Sequence, residues 1–249
     1  MGKRLKQQRR GNGTPTYKAP TTRYKIDLQY RSYDDEEKTG VIRGQILDFV
    51  DDPGRNAILM KMLYDNGEEG YLLANEGAIV GNYIELGAQA KLGAGNVLPL
   101  YRIPDGAYVF NLERYPGDRG KLIRAPGSYG IIVSRESDIV YVKLPSKQIV
   151  PFSADCRTQI GIASGGGVSD KPLMKAGTAF YKYKKARNRM WPRNRGVKMS
   201  AYNHPHGGKQ HHEGKSSTIG RGAPPGSKVG HIAAKSTGRK KVIKIVEER

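Results

Sequence analysis

Val41-Ile-Arg-Gly-Gln-Ile-Leu-Asp-Phe-Val50 reads as a strand, and Asp51-Asp-Pro-Gly54 closes it with a strong turn. Ala57-Ile-Leu-Met-Lys-Met-Leu-Tyr64 is a second strand. Asp65-Asn-Gly67 then supplies the positive-φ residues of a tight hairpin, and Tyr71-Leu-Leu-Ala74 is the returning strand. Short apolar runs broken by turn residues predict a barrel or sandwich rather than helices. Residues 25–84 are therefore expected to form a small β domain. Basic and aromatic loops on a small barrel are compatible with an OB-fold, a nucleic-acid scaffold, although the pattern alone does not separate it from other five-stranded barrels.

The same grammar continues downstream. Gly87, Gly93, Gly95 and Pro99 punctuate the entry to residues 85–163. Val109-Phe-Asn-Leu112 is a short strand. Gly130-Ile-Ile-Val-Ser134, Ile139-Val-Tyr-Val-Lys-Leu144 and Gln148-Ile-Val-Pro-Phe152 form a meander with turns at Ser137-Asp138 and Pro145-Ser146. Strands this short fit a small SH3-like barrel. The expected fold class is mainly β, two small barrels with extended basic arms at both ends.

Charge marks the arms. The 249 residues carry a net charge of +20. Residues 1–24 hold seven Lys/Arg and no acid, residues 25–181 are close to neutral at −2, and residues 182–249 carry +15. A near-neutral middle can fold by itself, whereas the arms call for a polyanion. No run approaches the eighteen apolar residues of a membrane span, and residues 1–24 lack the apolar core of a secretory signal. The single Cys156 excludes an internal disulfide and a Cys-based zinc cluster, fits a reducing cytosol, and reads as a small core residue.

Within the arm of residues 1–24, Lys3, Arg4, Lys6, Arg9 and Arg10 are candidate phosphate contacts, with glycines and prolines that break any helix. In the middle, Tyr115-Pro-Gly-Asp-Arg-Gly-Lys121 reads as an RNA-facing loop with Arg119 and Lys121, followed by Arg124. It lacks the phosphate-binding pattern of a nucleotide loop. Gly161-Ile-Ala-Ser-Gly-Gly-Gly167 lacks it too and reads as the hinge where the globular body ends. Asp34-Asp-Glu-Glu37 lacks calcium-loop spacing and reads as a solvated turn.

Residues 164–249 form the second arm, with room for a short basic helix. Phe180, Tyr181 and Tyr183 interleave with Lys182, Lys184, Lys185, Arg187 and Arg189, a pattern that stacks bases while cations hold phosphates. Trp191 fits either stacking or packing, and Arg193 extends the cationic run. Beyond Lys209 the chain is polar and rich in glycine and proline, which suits an extension ordered by RNA.

Arg195-Gly-Val-Lys-Met-Ser-Ala-Tyr-Asn-His-Pro-His-Gly-Gly-Lys209 combines cations, two histidines and a glycine pair. Arg195, Lys198 and Lys209 are candidate phosphate ligands. Gly207 and Gly208 would let backbone approach a partner closely. All five histidines fall between His204 and His231, yet zinc-ligand spacing is absent, so no metal site is expected. Asn203 offers no counter-charge to an imidazolium, so His204 and His206 read as RNA contacts rather than general bases.

This stretch resembles the signature loop of the universal large-subunit ribosomal protein "L-two" family, which reads Arg-Gly-x-Ala-Met-Asn-Pro-x-Asp-His-Pro-His-Gly-Gly. Arg195-Gly196, Met199 and His204-Pro-His-Gly-Gly208 match it, whereas Lys198, Ser200, Ala201 and Asn203 depart from it. Val109-Phe-Asn-Leu-Glu113, Tyr115-Pro-Gly-Asp-Arg-Gly120, Arg124-Ala-Pro-Gly127 and Pro145-Ser146 extend the resemblance over nearly the whole chain. The start, Gly2-Lys-Arg through Gly13, is similar to the archaeal and eukaryotic branch. The resemblance implies an OB-fold followed by an SH3-like barrel. It also implies a cytoplasmic, ribosome-bound structural protein without cofactor. Its partners would be large-subunit rRNA, small-subunit rRNA at a subunit bridge and neighbouring large-subunit proteins, with His204 near the peptidyl-transferase region. A free RNA-binding translation or elongation factor and a His-dependent RNA-processing enzyme are the competing classes. No Ser/His/Asp order, paired-carboxylate motif or cofactor loop favours an enzyme.

Overall fold

A computed structural model of the protein describes residues 5, 8–9, 12–15, 17–18, 24, 26–185, 188–208 and 211–234. These divide into two compact units. One gathers the described residues of 21–172, the other those of 1–20 and 173–241.

The first unit is mainly β. A single-turn helix α1 (Asp35–Thr39) precedes β1 (Ile42–Val50), β2 (Leu59–Tyr64), β3 (Glu69–Leu73), β4 (Tyr83–Leu86) and β5 (Val97–Pro99). Then come β6 (Tyr108–Phe110), β7 (Gly130–Glu136), β8 (Ile139–Lys143), β9 (Ile149–Ser153) and β10 (Arg157–Ile160). They form a 10-stranded sheet in the order β3-β2-β1-β4-β5-β10-β6-β7-β8-β9. Neighbours run antiparallel except β4 and β5, which meet in parallel at Leu86 and Val97.

The first three strands follow the alternation of their sequence. Ile42, Ile46, Met60, Met62, Tyr64 and Leu72 turn inward and pack with Ile84, Leu86 and Val97. Gly67 takes φ +83 at the β2–β3 turn, the left-handed conformation that glycine adopts without strain. The second strand set packs Leu98, Leu100, Val109, Ile132, Val142 and Cys156 into its own core. Cys156 is fully buried, and that burial pushes its thiol up to about 12. A third cluster joins both sets: Leu59 and Leu73 meet Phe110, with Ile26, Leu28 and Ala163.

β10 is the centre of the sheet, between β5 and β6, and its inward residues are polar. Arg157 is 1% exposed. Its guanidinium bridges Glu37 Oε1 and Glu113 Oε1, each at 2.8 Å, and lies 4.6 Å from the Tyr33 ring centroid and 5.2 Å from that of Tyr30. Gln159 donates to Leu73 O and Gly95 O and accepts from Asn111 Nδ2 at 2.9 Å. The expectation of a solvated turn at Asp34–Glu37 is corrected in part: Asp35 and Glu36 are exposed, but the segment is helical and Glu37 is not solvated. Asp34 caps α1 by accepting from Glu37 N at 3.1 Å, and Glu37 is fully buried against Arg157. The helix turns one of four acids inward, where two guanidiniums compensate its burial: Arg157 at 2.8 Å and Arg31 at 3.6 Å.

In the second unit, α2 (Ala176–Phe180) runs into a π-helical turn at Tyr181–Lys185, and a 3-10 turn spans Gly196–Lys198. β11 (Thr218–Ile219) and β12 (His231–Ile232) pair in parallel. The N-terminal segment is tied to this unit. Asn188 Nδ2 donates to Pro15 O and Lys18 O, both at 2.8 Å, and Gln8 Nε2 donates to Pro225 O and Lys228 O.

Candidate nucleic-acid interface

The histidine loop is built from backbone turns. Lys198 N donates to Arg195 O and Met199 N to Gly196 O, which closes the 3-10 turn. Asn203 N and His204 N both donate to Ser200 O, at 3.0 and 3.1 Å, and Gly208 N returns to Met199 O at 3.1 Å. These bonds fold the loop onto itself and bury His204 and His206, each 7% exposed.

The imidazole of His204 works inside the loop. Its Nδ1 accepts from His206 N at 3.0 Å, which assigns the proton of the neutral ring to Nε2. Burial, the neighbouring His206 and Lys215 hold His204 below the usual histidine range, with Glu213 opposing them. The two imidazole centroids stand 5.0 Å apart, and Glu213 Oε1 lies 3.5 Å from His206 Nδ1. Arg195, His206, His211, His212, Glu213 and Lys215 line one open pocket beside the loop. Among the described residues no group of three or more His, Cys, Asp or Glu is placed to hold a metal ion.

The glycines have reasons inside the protein. A Cβ at Gly207 would lie 2.5 Å from Met199 O and closer still to Ser200 O. Gly208 takes φ +77 beside Ala201. Gly196 lies under the His204 ring, where a Cβ would stand 2.8 Å from Nε2 and closer to Nδ1 and Cε1. The close-approach role read from sequence for Gly207 and Gly208 therefore has a local competitor, the closure of the loop.

The second unit also exposes cations outside the loop and within it. Arg9, Lys184, Lys185, Arg189, Arg193, Arg195 and Lys198 are exposed, and Lys182 and Trp191 are half-buried. Lys184 Nζ sits 5.5 Å over the Phe180 ring, and Phe180 meets Tyr181 edge to face at 5.6 Å. Tyr181 is 66% exposed.

The comparisons with known proteins bear on both units. The family model for the Ribosomal Proteins L2, RNA binding N-terminal domain, matches residues 2–86, and that for the Ribosomal Proteins L2, C-terminal domain, matches residues 93–230. The chain belongs to the ribosomal protein L2 family. Large ribosomal subunit protein uL2 of Methanopyrus kandleri is 47% identical over 240 residues, covering 96% of this chain and 98% of that protein. The protein of the same name from Methanocaldococcus jannaschii is 47% identical over 243 residues, covering 97% of this chain and all of that protein. That of Methanothermobacter thermautotrophicus is 41% identical over 242 residues.

Of the residues singled out in this L2-family chain, Lys3, Arg4, Lys6, Arg10, Arg187 and Lys209 lie outside the described residues. The first unit holds three others. Arg119 and Lys121 are exposed on the Tyr115–Lys121 loop, and the Arg119 guanidinium donates to Gln29 Oε1 and Ser32 Oγ. Arg124 turns inward. It is half-buried and donates to Asn111 Oδ1 at 2.8 Å and Leu28 O at 2.6 Å, so these donors are committed inside the protein. Sequence reasoning missed Gly196, whose role becomes visible only with the His204 ring in place, and Glu113, which governs the loop that follows it.

Proposed function

We propose that the chain is a structural constituent of the large ribosomal subunit and binds large-subunit rRNA in the cytoplasm. The observation that carries this reading is the match of both L2 family domains along the chain, the first described as RNA binding. The relatives matched over nearly their whole length are large ribosomal subunit proteins by name. The exposed cations of the second unit support the same reading, because a surface of one charge sign attracts phosphate and releases counterions on contact.

In this reading Arg9, Lys182, Lys184, Lys185, Arg189, Arg193, Arg195 and Lys198 hold phosphates, with Trp191 and the neighbouring aromatics available to unpaired bases. Lys3, Arg4, Lys6, Arg10, Arg187 and Lys209 follow the same chemistry. Residues 25–84 and 85–163 act as OB-like and SH3-like barrels between basic arms at 1–24 and 164–249. The His204 loop serves the peptidyl-transferase region as a shaped support, and the protein aids subunit association through small-subunit rRNA and neighbouring proteins. No chemical step is assigned to His204. Its Nδ1 is occupied by a backbone donor, and the carboxylate at the pair approaches His206 instead. Sedimentation of the tagged chain tests the reading. The chain should travel with large-subunit particles through a gradient, and recovery solely in the free-protein fractions would overturn it.

A further inference from the structure

We infer that Arg114 and Tyr115 form a stacking platform for one unpaired nucleobase, held in place by the buried carboxylate of Glu113. The inference rests on the rRNA-binding reading above and adds a site to it. Glu113 is fully buried, and every bond it makes ties down the adjoining loop or the central strand. Its Oε1 accepts from Arg119 N at 2.8 Å and from Arg157 Nη2 at 2.8 Å. Its Oε2 accepts from Gly117 N at 3.3 Å and Arg157 N at 2.9 Å. Two loop amides thus converge on one carboxylate, whose charge Arg157 neutralises. The loop's far end is anchored by Lys121 N donating to Leu112 O at 2.9 Å, and Arg119 O accepts from Tyr30 N.

The loop owes its shape to this anchoring. Gly117, Arg119 and Gly120 all take positive φ, at +81, +62 and +78. For Arg119 this is a strained conformation that persists where surrounding bonds impose it. The consequence is a fixed outward face. Tyr115 is 64% exposed, and the Arg114 guanidinium lies 5.5 Å from its ring centroid. The loop carries exposed Arg114, Arg119 and Lys121 against one acid, Asp118; the Arg119 guanidinium turns to Gln29 and Ser32 in a pocket it shares with Asp27, Glu68 and Glu69, so the positive charge beside the Tyr115 ring rests on Arg114. An aromatic face beside a guanidinium, with further cations within the loop, suits a base and its flanking phosphates. A preformed platform also saves the ordering of a loop on binding.

The test measures binding of the full chain to a large-subunit rRNA transcript and maps crosslinks to the same transcript substituted with 5-bromouridine. Tyr115→Ala should weaken binding about tenfold, while Tyr115→Phe, which keeps the π face, should bind within about twofold of the parent. Arg114→Ala should lower the log-affinity versus log-salt slope by about one. A crosslink should map to Tyr115. Glu113 is a positioning residue, so in a Glu113→Gln background Tyr115→Ala should cost at least about threefold less than in the parent, a coupling that a merely structural role would not produce. Should Glu113→Gln fail to fold, the surface variants still decide. Parent-like binding by Tyr115→Ala with no crosslink at that residue would overturn the platform. So would unchanged rRNA binding accompanied by loss of a neighbouring protein from assembled particles, which would make Tyr115 a protein contact. Failure of the parent chain to bind the transcript would instead overturn the rRNA-binding reading itself.

Discussion

Replacing Gly207 with alanine separates two reasons for a glycine in the histidine loop. If the glycine exists to let RNA approach, the free protein should tolerate a methyl group. If it exists to close the loop, the free protein should suffer. The geometry favours closure. The new Cβ would stand 2.5 Å from Met199 O and nearer to Ser200 O, whereas real Cβ atoms essentially never come within 3.0 Å of such neighbours. Both obstacles are backbone, so no side chain can swing aside. The shift that relieves them pulls on Ser200 O, which holds Asn203 N and His204 N, and on Met199 O, which holds Gly208 N. Overpacking costs about 1–3 kcal/mol. Weakening three backbone bonds, at about 0.5–1.5 kcal/mol each, adds a similar amount. A local penalty of about 3–5 kcal/mol would open a loop whose protection comes from those same bonds. Amide hydrogen exchange across residues 200–208 of the free protein should rise by at least about a hundredfold in Gly207→Ala. Gly208→Ala should do less, about 1 kcal/mol, because it meets the φ penalty and one yielding contact at Ala201 Cβ, 3.1 Å away. Parent-like protection in Gly207→Ala, with a defect appearing only on RNA, would refute the closure argument.

Acidification should loosen the same loop. The folded loop holds His204 below the ordinary histidine range, so the neutral ring is favoured, and that stability is complete above the unfolded pKa and lost as pH falls from about 6.5 through the lower folded value. Protonation of Nδ1 also removes the acceptor of His206 N, so the protection factor of that amide, its exchange taken relative to the intrinsic rate at each pH, should drop as the pH falls below about 6.5, and His204→Gln should flatten that dependence. Arg157→Met should lower the unfolding free energy of the first unit by about 3–5 kcal/mol, since two fully buried carboxylates lose their shared cation; a denaturant-melt change under about 1 kcal/mol would contradict this. Limited proteolysis of the free chain should cut the second unit outside the self-closed loop of residues 195–208 and leave a resistant core near residues 25–163; a second unit as resistant as that core without RNA would count against that expectation.

The strands that alternate were legible. β1, β2 and β3 lie within one to two residues of the runs at 41–50, 57–64 and 71–74, because each places apolar residues on one side and turn chemistry at its end. β10 was hidden. Arg157-Thr-Gln carries no apolar alternation to predict a strand, yet these residues are at most 1% exposed, because each finds partners that exist only in the fold. Glu37 was misread for the same reason, as its partner is 120 residues away. The histidine loop was legible as a motif. The cause of its glycines was not, since it lies in carbonyls and a ring that fold back from neighbouring turns.

The two units also differ in what can hold them. Among the described residues, the apolar side chains buried in the cores number many in the first unit, whereas in the second Leu5 is the buried apolar residue and His204 and His206 are the buried polar ones. Fully burying one leucine contributes about 1.5–3 kcal/mol. Fixing backbone costs about 1–2 kcal/mol for each residue ordered. The second unit orders dozens of residues through backbone turns, short polar contacts and a two-residue parallel pair, so apolar burial cannot be what maintains it. Its cations repel one another until phosphates intervene. The same charges that oppose folding in the free chain become the favourable term once a polyanion is present, so rRNA acts in the proposed assembly as the missing core of this unit. The first unit has made the opposite arrangement. Arg31, Arg55 and Arg157 are paired with carboxylates, and Arg124 is spent on carbonyl oxygens, so much of its cationic charge is used inside the protein.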